Sequence, residues 1–283
     1  MLESFKNWLD NQQLSKNTIQ SYSGQIKRYL KWFQESYNSP FNHLYRENIL
    51  EYISYMSNIK KLKAQSINAH LAALIKLNEY LIDQSTQTDI VVSKKDYIRI
   101  QKEYISPATI IKTDVETFRQ KILENRDKRD YAIVTLLAYS GMRISEALNI
   151  KVDDLNLTAR EILVRYGKRK RQRQRLVIIN DKIANAIKEY LKEREQQKNK
   201  ESDYLFISRE SYKVDRSVIN RICNEFSDKI TPHTLRHFFC SYALENGWST
   251  HEVAAQVGHS NIHTTMLYTH PSRSEIKRKA NLL

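Results

Sequence analysis

The sequence predicts a mainly α-helical protein with one small antiparallel β-sheet, divided into a four-helix N-terminal unit and a larger C-terminal unit. Three observations carry this. Apolar residues recur at helical spacing along most of the 283 residues, as they do where helices bury one face. Only five Gly and four Pro occur, too little turn chemistry for a fold of many short strands. Two β-rich runs, REILVRY and RLVIIN, flank a basic turn and read as a hairpin.

In chain order, Leu2, Phe5, Trp8 and Leu9 make a first apolar stripe. Ile19, Tyr22, Ile26, Tyr29, Leu30 and Phe33 make a second, opened by the polar stretch SKNT at 15–18. A shorter helix is expected over 47–56, and Ile67, Leu71, Leu74, Ile75 and Leu81 mark the fourth. Four amphipathic helices with a common core make residues 1–84 a compact domain. Lys16, Lys27, Lys31, Lys60, Lys61 and Lys63 lie between the stripes, where contact with DNA and an ordinary solvated face are both open readings. Residues 85–109 lose the period, are polar, β-branched and basic, and reach a proline at 107; they read as an extended linker.

The second unit begins near residue 110. DYAIVTLLAYS reads as a buried helix stopped at Ser140 and Gly141. The hairpin follows, with Gly167 opening its turn, and helices resume at IANAIKEYLKEREQQ. In TPHTLRHFFCSYALENG, Thr231 is the expected N-cap, Pro232 takes the first helical position and Gly247 supplies the stop. Ser249 and Glu252 have capping-box spacing for a short helix that Gly258 ends.

Charge narrows the function. The 46 Lys and Arg against 32 Asp and Glu leave a formal +14, which favours a polyanion, nucleic acid first, as partner. No apolar run approaches the ~18 residues that a membrane span needs, and the N-terminus lacks a signal-peptide layout. A soluble cytoplasmic protein, associated with the nucleoid, is expected. Cys223 and Cys240 are too few for a disulfide framework and lack zinc-ligand spacing, so both read as free thiols.

Four stretches hold chemistry-bearing residues. On the helix after Thr231, His233, Arg236, His237 and Cys240 share the face opposite Leu235, Phe238, Phe239 and Tyr242. His233 falls in the first turn, where free N–H groups favour an anion, and Arg236 can grip two phosphate oxygens; a solvated polar face is the plain alternative. Arg143 follows the buried helix with Glu146 three residues on, able to orient it or merely to pair with it at the surface. KRKRQRQR at 168–175 places six basic residues in eight at the hairpin tip, a phosphate-backbone contact or a solvated loop. GHSNIHTTMLYTH at 258–270 brings His259 and Tyr268, the latter on a brief helix capped by Thr264 or Thr265. The helix, turn and helix preceding it also suit a DNA-reading helix-turn-helix.

In order and spacing these stretches resemble the tyrosine recombinase family, which includes the phage integrases and Xer-type recombinases, over nearly the whole chain. The resemblance implies a SAM-like core-binding DNA-binding domain over 1–84, a linker over 85–109, and a catalytic domain over 110–283 that ends in an exchange segment, 269–283. It assigns the family's motif arginine to Arg143 in SGMRISE and the hairpin lysine to Lys168 in YGKRK. His233 and Arg236 in HTLRH, His259 in VGHSN, and Tyr268 in MLYTH as nucleophile complete the set. Arg169, Lys170 and Arg171 become DNA contacts. Met142, where the family often has leucine, and the run 238–240 depart only in packing residues.

The residue types suit the chemistry so implied. Charge grows on the non-bridging oxygens of a phosphodiester as its pentavalent state forms, and Arg143 and Arg236 would stabilise that state. A phenol of pKa ~10 is ionised about once in a thousand at pH 7, so a base is needed; His233 takes that role, His259 donates to phosphate, and Lys168 protonates the leaving 5′ oxygen. Attack by Tyr268 would leave a 3′-phosphotyrosyl bond that another 5′-hydroxyl can reverse without ATP. No cofactor and no metal are implied. The expected partners are double-stranded DNA with an inverted-repeat core site and three further copies of the chain in a tetramer on two duplexes, with accessory DNA-binding proteins left open; no membrane is involved. Strand exchange through a Holliday junction would resolve dimers or transposon or plasmid cointegrates, or integrate a mobile element. With no arm-binding domain ahead of the first helix, a simple resolving enzyme is favoured. A non-catalytic DNA-binding regulator and a monomeric type IB topoisomerase-like relaxer are the competing readings.

Overall fold

The computed structural model describes residues 1–100, 110–166 and 173–259. Lys168, Arg169, Lys170, Arg171 and Tyr268, with the exchange segment 269–283, lie outside the described residues. The chain divides into two compact units, Met1–Glu103 and Tyr104–Leu283.

In the first unit α1 (Leu2–Asn11), α2 (Lys16–Tyr37), α3 (Arg46–Ser54) and α4 (Ala64–Asp83) form where the four stripes predict them. Ser15 caps α2 by accepting a hydrogen bond from the Thr18 amide at 3.1 Å. A π-helical turn, Tyr55–Ile59, continues α3. Phe5, Leu9, Ile26, Tyr29, Ile49, Leu71 and Leu74 are buried together; each such side chain contributes about 1.5–3 kcal/mol on leaving water. Residues 85–100, the described part of the stretch expected as linker, run without a strand or α-helix and are fastened to this unit. Asn78 donates to the Asp89 carbonyl at 2.9 Å and accepts from the Val91 amide at 2.8 Å. Asn68 brackets Ile98 in the same way, 2.9 Å each. Val92 fills the core beneath. Two side-chain amides thus replace the pairing that extended backbone otherwise lacks, a device with no periodicity for a sequence to display.

The second unit is built on α5 (Lys112–Asn125), α6 (Lys128–Ser140), the single turn α7 (Ile144–Ala147), α8 (Asp181–Arg194), α9 (Arg216–Phe226), α10 (Pro232–Glu245) and α11 (Thr250–Val257). Its antiparallel sheet has the order β1 (Leu155–Asn156), β2 (Glu161–Tyr166), β3 (Arg173–Ile178). β2 and β3 are the predicted hairpin strands; β1 is two residues long, too short to carry a pattern. α6 is buried nearly all round, as its apolar run predicts. It ends at Gly141 in the left-handed region, φ +66°. A Cβ there would lie 2.4 Å from Phe239 Cδ1 on α10 and 2.6 Å from Val257 Cγ1 on α11. Only a glycine lets the end of α6 meet both helices.

Candidate active site

The turn from α6 to α7, the first two turns of α10, the end of α11 and the inner face of β3 meet around a group of cations. Arg143 is the N-cap of α7: its amide donates to Glu146 Oε2 at 2.9 Å and its Nη1 to Oε1 at 3.0 Å. The Glu146 carboxylate is buried, whereas about half of the Arg143 side chain remains exposed. A second guanidinium holds the same carboxylate. Arg175 Nη1 and Nη2 donate to Glu146 Oε1 and Oε2 at 3.1 and 2.8 Å, and its Nε donates to the Gln256 carbonyl at 3.0 Å. Burial alone would raise the Glu146 pKa; the bonds from Arg175 and the Arg143 amide, with both guanidinium charges, hold it below the usual carboxylate range.

Arg175 corrects the reading of 168–175 as a run of phosphate contacts. It pairs with Val164 across the hairpin, and alternation along β3 puts it on the inner face with the buried Val177 and Ile179. Its side chain is only 9% exposed. Gly258, at φ +69°, passes directly over it; a Cβ there would lie 2.6 Å from Arg175 Nη1.

Arg236 is buried rather than on a solvated face. Its Nη1 donates to the Gly141 carbonyl at 2.6 Å, while its buried Nη2 has no hydrogen-bond partner among the described residues. Burial, then the like charge of Arg143, lowers its pKa to about 10. One turn of α10 holds the His233 and His237 rings together, Nε2 to Nε2 at 2.7 Å. Burial and the charges of Arg236 and Arg143 lower the His233 pKa; burial, then His233 and Arg236, take His237 to about 4. His259 follows Gly258, and burial with Arg236, Arg143, Arg175 and His237 brings it to about 4 as well. All three imidazoles are therefore neutral at pH 7, each able to give or take a proton.

Arg143, His233, Arg236 and His259, predicted from three separate stretches, thus share one electrostatic environment. Its chemistry is that of an anion site: three guanidinium groups face one carboxylate, and a buried donor is left over. Sequence reasoning put His237 on the face of His233 and Arg236 without a role, read Arg175 only as one of a run of phosphate contacts, and gave Gln256 no part. Gln256, buried on α11, donates to the Ile178 carbonyl at 2.8 Å and accepts from the Ile178 amide at 3.1 Å, pairing with β3 as a strand would. The period of two through Val177 and Ile179 was the available signal for Arg175. Met142, Phe238, Phe239 and Cys240 are core residues, and burial pushes the Cys240 thiol up to about 11.

Comparison with known proteins decides the lineage. Residues 109–275 match the phage integrase family, and residues 1–88 match the N-terminal SAM-like domain of phage integrases. The chain belongs to the phage integrase family. It is a tyrosine site-specific recombinase, as the combined arginine and histidine motifs imply. TnP I resolvase of Bacillus thuringiensis is 50% identical over 282 residues, covering 99% of each chain. A tyrosine recombinase of Pseudothermotoga lettingae is 29% identical over 280 residues, 95% of this chain and 93% of that protein. In fold, the chain is similar to XerH site-specific recombinase bound to palindromic difH substrate in a post-cleavage complex, with TM-score 0.71 and 22% identity over 93% of this chain and 79% of that one.

Proposed function

We propose that this integrase-family enzyme cleaves DNA by attack of Tyr268 on a phosphodiester held between Arg143 and Arg236. The observation that carries the proposal is the Arg236 guanidinium, buried with Nη2 unpartnered among the described residues, where burial first and then the like charge of Arg143 lower its pKa. A buried donor left unbonded costs about 1–3 kcal/mol; a phosphate oxygen repays that and separates the cations. Charge added to those oxygens in the transition state strengthens the same bonds, which is where catalysis comes from. His233, neutral, accepts the Tyr268 proton. His259 donates to a non-bridging oxygen, Lys168 protonates the departing 5′ oxygen, and Arg169, Lys170 and Arg171 hold the backbone nearby. The product is a 3′-phosphotyrosyl enzyme and a free 5′-hydroxyl; attack by a partner strand's 5′-hydroxyl rejoins the DNA and builds a Holliday junction without cofactor, metal or ATP.

Four copies act on two duplexes, each site an inverted repeat bound by both residues 1–84 and residues 110–283, which the stretch 85–109 joins. The exchange segment 269–283, in which the apolar Ile276, Ala280 and Leu283 stand among basic residues, docks on a neighbouring copy. Resolution of transposon or plasmid cointegrates is the favoured task, supported by the name of the 50% identical relative, a resolvase. The enzyme works on cytoplasmic, nucleoid-borne DNA; no helix among the described residues is long and apolar enough to cross a membrane.

Tyr268→Phe is expected to bind target DNA as the parent does and to form no covalent adduct on a suicide substrate; an adduct from the Phe protein refutes the assignment. Removing residues 273–283 should lower synapsis and recombination at least several-fold while single-site binding persists. Recombination at the parent rate would rule out docking by this segment.

A further inference from the structure

We propose that His237 is a positioning residue through which His233 passes the proton of the nucleophile, so that one imidazole pair acts as base in cleavage and as acid in rejoining. This rests on the reading of His233 as the base. The pair itself is a matter of geometry. Two Nε2 atoms at 2.7 Å must share one hydrogen: two bare lone pairs would repel, and two N–H groups would leave neither an acceptor. The rings cross at 86° on successive turns of α10, and no other hydrogen bond engages the His233 ring among the described residues.

The shared hydrogen sets what the far side of His233 can do. When His233 Nε2 carries it, His233 Nδ1 is a lone pair and therefore a base. When His237 Nε2 carries it, His233 Nδ1 bears the hydrogen and is a donor. In cleavage the Tyr268 Oη–H proton passes to His233 Nδ1 while the Nε2 hydrogen of His233 moves to His237 Nε2. The tyrosine oxygen forms its bond to phosphorus, the bond from phosphorus to the 5′ oxygen breaks, and Lys168 supplies that oxygen's proton. His237 is left as the imidazolium, and rejoining runs the same transfers backwards, returning the proton to the phenol. The groups facing the pair are Arg236 on α10, Arg143 at the start of α7 and His259 after α11. Their positive charge keeps the resting pair neutral, and the phosphate's negative charge offsets them when the pair takes its proton.

The test is single-turnover formation of the covalent adduct on a suicide half-site by His237→Gln, which can still bond His233 but cannot take up a proton. DNA affinity and melting temperature are measured alongside, with His237→Asn as the second variant should Gln lower the melting temperature. The expected result is a rate about 10- to 100-fold below the parent, with a log rate that keeps climbing as pH rises through neutrality because the phenol must now ionise without help. Replacing Tyr268 by a fluorinated tyrosine of lower phenol pKa should close most of that gap. A rate within twofold of the parent overturns the relay, as does a deficit that neither pH nor the fluorinated tyrosine changes. His233→Gln in the same assay separates the two ideas: slow His233→Gln beside normal His237→Gln removes the relay and keeps the base, whereas normal His233→Gln removes both.

Discussion

Glu146→Gln removes the carboxylate that holds Arg143 and Arg175 together, and its cost follows from the geometry. Glu146 and Arg175 are each less than a tenth exposed in their side chains, 7% and 9%, and are joined by two parallel bonds of 3.1 and 2.8 Å. Taking one partner from a buried pair costs about 3–5 kcal/mol, because the other charge is left in the interior. Gln keeps an oxygen for one of the bonds, so the lower end, about 3 kcal/mol, is expected. For a unit of this size each kcal/mol moves the midpoint by about 2–4 °C, so the second unit should melt roughly 6–12 °C lower. Calorimetry of the whole chain reads this as a shift of one transition. The pH dependence carries a sign. The folded pKa of Glu146 lies below its unfolded value, so its contribution is present above the unfolded value of about 4.3 and fades as pH falls through the folded one. The gap between parent and variant should be full at pH 7 and narrow below about pH 4. Glu146→Gln with Arg175→Met, which takes both charges away, should recover most of the loss. A single variant that melts within 2 °C of the parent, or a double variant no better than the single, refutes this account.

Two further outcomes are expected. Gly141→Ala puts a methyl group 2.4 Å from the Phe239 ring at φ +66°, so strain of about 1–2 kcal/mol adds to overpacking of about 1–3 kcal/mol; urea unfolding should show a loss of at least 2 kcal/mol, and a loss under 0.5 kcal/mol would mean that α10 and α11 are not seated on this turn. His237 and His259 have folded pKa values lowered to about 4, below the unfolded value of about 6.5. Their neutral burial therefore supports the fold fully above that value and is lost as pH falls toward 4. The urea midpoint should be lower at pH 5 than at pH 7, and the His237→Gln, His259→Gln double variant should lose much of that slope; an unchanged slope contradicts the burial of these rings.

Much of the helical architecture was legible because its signals are local. The stripes from Leu2 to Leu81, the Ser15 cap, the Pro232 entry and the Gly141 and Gly258 stops each depend on residues within a turn or two of one another. The motif residues Arg143, His233, Arg236 and His259 were legible for a different reason: their types and order resemble a family, and no local pattern says that they meet. What local reading could not see was what crosses the chain. Asn68 and Asn78 fasten a segment that has no period of its own. Arg175 looks like one more cation in a basic run until β3 is given a face, and Gln256 looks like an ordinary helical glutamine until α11 lies against Ile178.

The sequence alone determined the helices, the hairpin, the positive charge and the set of groups available for phosphoryl chemistry, since composition, period and capping are properties of neighbours along the chain. Tertiary structure decided the protonation and partnership of those groups. It buried Arg236 with one nitrogen unbonded, shared Glu146 between Arg143 and Arg175, and set His233 against His237. Desolvation and Coulomb interactions act through space, and the residues that exert them here are as far apart in the chain as Gly141 and Arg236.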